Sequence, residues 1–242
     1  MDNKKKLLNT WESKRNFFNA CQLKFMACIF MLISHISQTA YIDILGYPNL
    51  HKPMMLIGRI SFPIFCFFIV QGIILTRDVR KYLLRLFIFA LISEIPFDLA
   101  FYGKINPYSQ NVFLTLFLGA LLIYTLTYIE KIGVNRLLKV VISFSSLLFF
   151  MLISKLLFSD YSYKGIFAMF LLYLGRNKKS YTALALFIGF YFEAYLYKVV
   201  YGSIGFILLY NGKRGKMNKW FFYAFYPVHL LLIYFFMNYV TI

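Results

Sequence analysis

The chain has 242 residues, of which 61% are hydrophobic, 21% aromatic and only 14% charged. A water-soluble domain carries about a quarter charged residues and under half apolar ones. A soluble protein of this size has no way to cover so much apolar surface, so lipid is the solvent that the composition implies. The net charge of +17 comes from 26 Lys and Arg against 9 Asp and Glu. It does not indicate nucleic acid, because the basic residues fall in short clusters between apolar runs, the pattern that orients membrane proteins and meets anionic lipid.

The first 20 residues are polar and include Lys4, Lys5, Lys6, Lys14 and Arg15. The apolar run behind them has no small-residue cleavage site and reads as an uncleaved first helix rather than a signal peptide. A membrane-spanning helix needs about 20 mostly apolar residues. The candidate runs are 23–45, 54–75, 82–102, 111–129, 137–158, 164–174, 181–198, 199–210 and 220–241. The sixth and eighth are short; each reads as a half-span, a helix buried among its neighbours or part of a re-entrant hairpin. With nine crossings and a cytoplasmic N-terminus, 18 of the 26 Lys and Arg residues fall on the inner side, five on the outer side and three within spans. That alternation follows the positive-inside rule. The predicted fold is an all-α, polytopic membrane bundle of about nine segments. Residues 1–22 form a basic cytoplasmic segment, and residues 23–242 form one transmembrane domain. Cys21, Cys28 and Cys66 lack the paired spacing of a zinc or disulfide framework, so they are read as packing residues and no metal is expected.

Ionisable groups inside a membrane are costly and usually functional, so their depth is informative. His35 follows Lys24 by eleven residues, about 16 Å along a helix and nearly a whole number of turns, so both face one way. His229 lies ten residues past Lys219, about 15 Å in, which puts both span histidines near the midplane. A histidine there suits a general base or proton shuttle; a neutral histidine bonded to a neighbouring helix is the structural alternative. Tyr226 and Pro227 precede His229, and the proline is expected to kink the helix. Arg77, Arg80, Lys81 and Arg85 are spaced as one helical stripe at the inner surface, suited either to anionic lipid or to a phosphate-rich donor. The outer half carries Asp43, Glu94, Asp98, Asp160 and Glu193, with Arg59 expected to pair with Glu94 or Asp98. These groups serve either as a structural layer or as an acceptor pocket.

The motifs resemble the TraX family, integral membrane proteins linked to N-terminal acetylation of conjugative pilin. The likeness rests on Lys24 with His35, and on Gly58-Arg59 followed by Phe62-Pro63 and Gln71-Gly72. It continues through 82–86 into Ser93, Pro96 and Phe97, then Asn111 with Thr115, Asp160-Tyr161 before Gly165, and 225–230 around His229. TraX is similar in turn to the wider transmembrane acyltransferases, including bacterial sugar O-acetyltransferases and the lysosomal heparan glucosaminide acetyltransferase. That group has a basic residue ahead of a first-helix histidine, matched by Lys24 and His35, and an arginine pair at the inner surface, matched by Arg77 and Arg80 or by Arg80 and Arg85. The chain is shorter than those enzymes and carries no attached soluble domain.

The resemblance implies a bacterial cytoplasmic-membrane enzyme that uses acetyl-CoA as co-substrate and no metal. Lys24, Arg77, Arg80 and Arg85 would hold the donor's phosphates. His35, supported by His229, would act as base or as transient acetyl carrier. Arg59, Glu94, Asp98, Asn111, Asp160 and Tyr226 are the candidate acceptor-binding residues, for a peptide, pilin-like or glycan acceptor. A proton-coupled transporter or flippase would use the same midplane histidines, and an assembly scaffold would use the polar layer only to hold helices together.

Overall fold

A computed structural model describes residues 4, 7, 10–12, 17–39, 43 and 45–240, with backbone alone at 240. Lys5, Lys6, Lys14 and Arg15 of the inner basic group lie outside the described residues, as do positions 40–42 and 44 of the first apolar run and Thr241 of the last. The described residues form helices without a named strand. These are α1 (Ala20–Gln38), α2 (His51–Gly58), α3 (Ser61–Leu75), α4 (Val79–Tyr102), α5 (Val112–Ile129), α6 (Arg136–Leu156), α7 (Ser162–Gly175), α8 (Lys179–Gly189), α9 (Tyr191–Leu196), α10 (Gly202–Leu208) and α11 (Lys219–Val240).

Short polar residues start the long helices by satisfying first-turn N–H groups. Asn19 accepts from the Gln22 amide at 3.0 Å while the Gln22 side chain accepts from the Asn19 amide at 2.9 Å, a reciprocal capping box. Asn111 accepts from the Phe113 amide at 3.0 Å, and Asn135 from the Leu138 amide at 2.8 Å. Asp78 accepts from the Lys81 amide, and that bond holds its carboxyl below the usual range. Gly103, at φ +65°, ends α4 in the left-handed conformation.

Each apolar run falls on helix, but three runs are interrupted. The second run bends between α2 and α3 at Arg59, the seventh divides into α8 and α9 at Phe190, and the eighth opens with a single 3₁₀ turn, Lys198–Tyr201, before α10. Among the described residues, five stretches are long and apolar enough to cross a membrane: Ala20–Gln38, Pro48–Leu75, Val112–Ile129, Arg136–Leu156 and Lys219–Tyr239. The 24-residue α4 is long enough but carries Arg80, Lys81, Arg85, Glu94 and Asp98. The protein is therefore a multi-pass helical membrane protein.

Packing separates a centre from a periphery. Over half of the α3 and α5 spans is buried (56% each), against 11% for α6, so α6 turns most of its surface to lipid. Long-range hydrogen bonds gather the loops at two ends. At one end Thr10 donates to the Asn177 carbonyl (3.0 Å), the Ala20 and Cys21 amides donate to the carbonyls of Lys213 and Arg214, and Arg176 pairs with Glu130 (2.6 Å). At the other end Ser37 donates to the His51 carbonyl (2.8 Å), the Gln110 amide to the Phe158 carbonyl (2.9 Å), and Arg59 pairs with Glu193.

Candidate functional site

A cavity of about 950 Å³ runs through the bundle and is lined by α1, α3, α4, α5 and α11 together with the loops at both ends. Its lining residues include Lys4, Lys24, Arg77, Arg85, Arg214 and Lys219 toward the basic end, His35 and Tyr226 in the middle, and Arg59 and Asp160 toward the other. Lys24 and His35 thus share one face of α1, as their spacing predicts. The Lys24 ammonium lies 5.0 Å from the Phe68 ring centre and 5.6 Å from that of Phe222, a cation–π seat that leaves the charge in the cavity wall.

The histidines meet. His35 Nδ1 lies 2.8 Å from His229 Nε2, and His229 Nδ1 lies 2.6 Å from the carbonyl oxygen of Phe225, one turn earlier on α11. A carbonyl oxygen can only accept, so His229 carries its proton on Nδ1 and its Nε2 is the acceptor. His35 must then donate through Nδ1, which leaves the lone pair on Nε2. The chain Phe225 C=O, His229, His35 therefore fixes a tautomer in which the outermost nitrogen is basic. Phe101 and Tyr226 hold the ring of His35 edge-on, with centres 5.3 and 5.8 Å away. Pro227 lies inside α11; the carbonyl that its missing N–H leaves free is that of Tyr223, so the Phe225 bond depends on His229 itself.

At the basic end the expected stripe is broken. Asp78 starts α4, so Arg77 precedes the helix. Arg77 and Arg85 line the cavity; Arg80 is exposed and does not, and Lys81 pairs with Asp78 at 3.4 Å. The Arg85 guanidinium lies 5.8 Å from the Tyr82 ring centre, and the side chain of Tyr82 occupies space that a Cβ at Gly72 would fill. Lys4, Arg214 and Lys219 are additional cations there. Arg214 is placed by the loop that caps the start of α1, an arrangement that joins residues far apart in sequence and that composition does not reveal.

At the other end Arg59 pairs with Glu193, not with Glu94 or Asp98. The Nη1···Oε1 distance is 2.7 Å, and the guanidinium lies 4.7 Å from the Tyr197 ring centre. The break between α2 and α3 places Arg59 in this wall. Asp160, which lines the cavity, lies between Phe158 at φ +53° and Ser162 at φ +46°. Two non-glycine residues in the left-handed region within one loop are a local strain of the kind that gathers at functional sites. Tyr161 stacks on Phe62 with ring centres 3.5 Å apart and fixes the loop from the other side. Glu94, Asp98 and Asn111 do not line the cavity. Glu94 accepts from the Asn111 backbone and side-chain amides, and Asp98 accepts from the Asn106 amide at 2.9 Å. The three hold the α4–α5 turn, and Asn111 caps α5.

The arrangement has basic groups at one end, a hydrogen-bonded histidine pair at the waist and an Arg–carboxylate group at the other end. The sequence model described as TraX protein matches residues 20–237, nine-tenths of the chain. The chain belongs to the TraX family. A relative from Dichelobacter nodosus, described as probable fimbrial assembly protein FimC, serogroup H1, is 26% identical over 243 residues, covering 89% of this chain and 94% of its own length. No solved structure matches the chain. The matched TraX region contains all of the cavity-lining residues named above except Lys4. No group of three or more His, Cys, Asp or Glu among the described residues is arranged to hold a metal ion.

Proposed function

We propose that this TraX-family protein is a membrane acetyltransferase that moves an acetyl group from acetyl-CoA, bound at the basic end of the cavity, to an amine or hydroxyl acceptor that enters from the other end. The observation that carries this reading is the fixed tautomer of the histidine pair, which presents the lone pair of His35 Nε2 at the waist of the cavity. Lys24, Arg77, Arg85, Arg214 and Lys219 attract the donor's phosphates, and the aromatic lining takes its apolar arm. As the acceptor nitrogen or oxygen attacks the thioester carbonyl, His35 Nε2 takes its proton. The C–S bond breaks and the thiolate leaves with that proton or another from solvent. In the two-step form His35 Nε2 attacks first and carries the acetyl group to the acceptor.

Arg59 and Asp160 orient the acceptor, with Tyr226 packed against His35. The relative's description as a fimbrial assembly protein supports a pilin-like peptide over a glycan. The positive-inside bias and the gathering of basic loops at one end support nine segments in a bacterial cytoplasmic membrane with that end inside. A proton path through the membrane is less well supported, because the histidine relay ends on a carbonyl that cannot accept and pass on a proton. The test is purified protein with labelled acetyl-CoA and a peptide bearing a free N-terminus. His35→Ala is expected to bind acetyl-CoA and to transfer label about 10²–10⁴-fold more slowly; equal transfer by the two proteins overturns the assignment.

A further inference from the structure

Behind the histidine pair a second cavity of about 370 Å³ opens between α1 and α11. Leu32 and Ile36 of α1 line it, with His229 and five apolar residues of α11 between Phe225 and Phe236. His229 has both nitrogens engaged, Nε2 by His35 and Nδ1 by the Phe225 carbonyl. It therefore turns only ring carbon to this seam, and every other lining side chain is hydrocarbon. Val228, Leu232 and Phe236 are 52%, 52% and 58% exposed, so the seam is continuous with the apolar surface that the spanning helices present to the bilayer.

Length and polarity favour one occupant. From Phe225 to Phe236 α11 rises about 17 Å at 1.5 Å per residue, close to the roughly 15 Å of one leaflet in a 30 Å hydrocarbon core. An extended hydrocarbon chain matches the seam in length and in its lining of hydrocarbon side chains.

We propose that the seam between α1 and α11 binds a single acyl chain of a phospholipid from the leaflet opposite the basic end, with the end of the chain against His229. Seated there, the chain closes the lipid side of the histidine pair and holds the His229 ring in the orientation that fixes the His35 tautomer. Binding depends only on the helices lying in a bilayer; the consequence for His35 rests on the acetyltransferase reading.

The test uses the full chain in vesicles of phosphatidylethanolamine and phosphatidylglycerol that contain phosphatidylglycerol with a diazirine in one chain. Labelled residues are mapped by mass spectrometry. A diazirine at the chain end is expected to label near Leu32 and Val228, and one at mid-chain near Ile36, Leu232 and Phe236. Labelling there should exceed that of the exposed α6 face around Phe144 and Leu148 several-fold. Seam labelling should also saturate at low probe content while α6 labelling rises in proportion, and Leu232→Trp should remove the seam signal alone. Equal labelling of both faces, no saturation, or cross-links to a second copy at the seam overturn the proposal. Saturation is read on the unmutated protein, so the test does not depend on the variant folding. None of these readouts needs acetyl-CoA, so seam labelling without acetyl transfer would refute the enzyme assignment and leave the lipid site standing.

Discussion

In the proposed reaction His229 orients and His35 reacts, and the two roles predict different losses. His35→Ala removes the base and should lower the transfer rate by about 10²–10⁴-fold, the usual worth of a positioned base, with acetyl-CoA affinity little changed. His229→Gln keeps an amide oxygen to accept from His35 Nδ1, so it should retain far more rate than His229→Ala, which lets the His35 ring turn. Transfer rates measured at saturating acetyl-CoA check both; equal losses in Gln and Ala would show that His229 does more than accept a hydrogen bond. Both histidines and Lys24 were legible in the sequence because depth along a regular helix is simple arithmetic. Arg59 was legible as a member of the outer polar layer but its partner was not, since Glu193 is 134 positions away and only the packing of α2 against the α8–α10 region brings it near. For this half-buried pair, removing one partner strands a charge. Thermal unfolding in detergent should show Arg59→Ala less stable than the double variant Arg59→Ala/Glu193→Ala.

Among elements, the contact of α1 with α2 sets where both His35 and Arg59 stand. A Cβ at Gly58 would overlap the Ser34 Cβ and Oγ, so the two helices approach this closely only because residue 58 has no side chain. Gly58→Ala forces them apart and should cost about 1–3 kcal/mol, the usual range for overpacking, and it should depress transfer by moving Arg59. Ser34→Gly in the same chain removes the overlapping group and should restore most of both. Melting temperature and activity of the single and double variants check this, and a double variant no better than Gly58→Ala would place the strain elsewhere. The Gly58-Arg59 pair was visible in the sequence, but the helix break beside it was not, because 54–75 is apolar on both sides of the pair and the interruption is a matter of packing. The same limit hid the loop at 210–218. Its basic residues were counted, yet the carbonyls of Lys213 and Arg214 that cap α1 and place Arg214 at the cavity depend on a contact between distant segments. Arg214→Ala is therefore expected to weaken acetyl-CoA binding severalfold, read as a raised KM with kcat nearly kept.

At the scale of the whole molecule, the number of crossings decides which end of the cavity meets the cytoplasm at every loop. Hydropathy identifies five stretches that suffice alone, whereas charge alternation calls for nine segments. The two differ because α4 is too charged, and α7 and the α8–α10 region are too short or too broken, to pass a test made on isolated helices. Packing removes that difficulty: charged and interrupted segments are tolerated at membrane depth where protein or a polar cavity surrounds them; Glu94 and Asp98 of α4 face Asn111 and Asn106, Arg85 lines the cavity, and Arg80 and Lys81 lie in the first turn at the basic end. If all nine segments cross, positions 133, 177 and 212 lie on the side of residue 21, and positions 104 and 195 lie on the other. The prediction is checked in a chain lacking Cys21, Cys28 and Cys66, with single cysteines at Lys104, Gly133, Asn177, Tyr195 or Gly212, labelled in intact cells by a maleimide that does not cross membranes. Lys104→Cys and Tyr195→Cys should react from outside, and the other three only after lysis. Asn177 and Tyr195, the latter 80% exposed, are the deciding positions, because α7 and α8 must each cross to leave them on opposite sides. Asn177→Cys reactive in intact cells beside a reactive Tyr195→Cys would mean that neither α7 nor α8 crosses, whereas protection of Tyr195→Cys, with Lys104→Cys still reactive, would mean that only one of the two does.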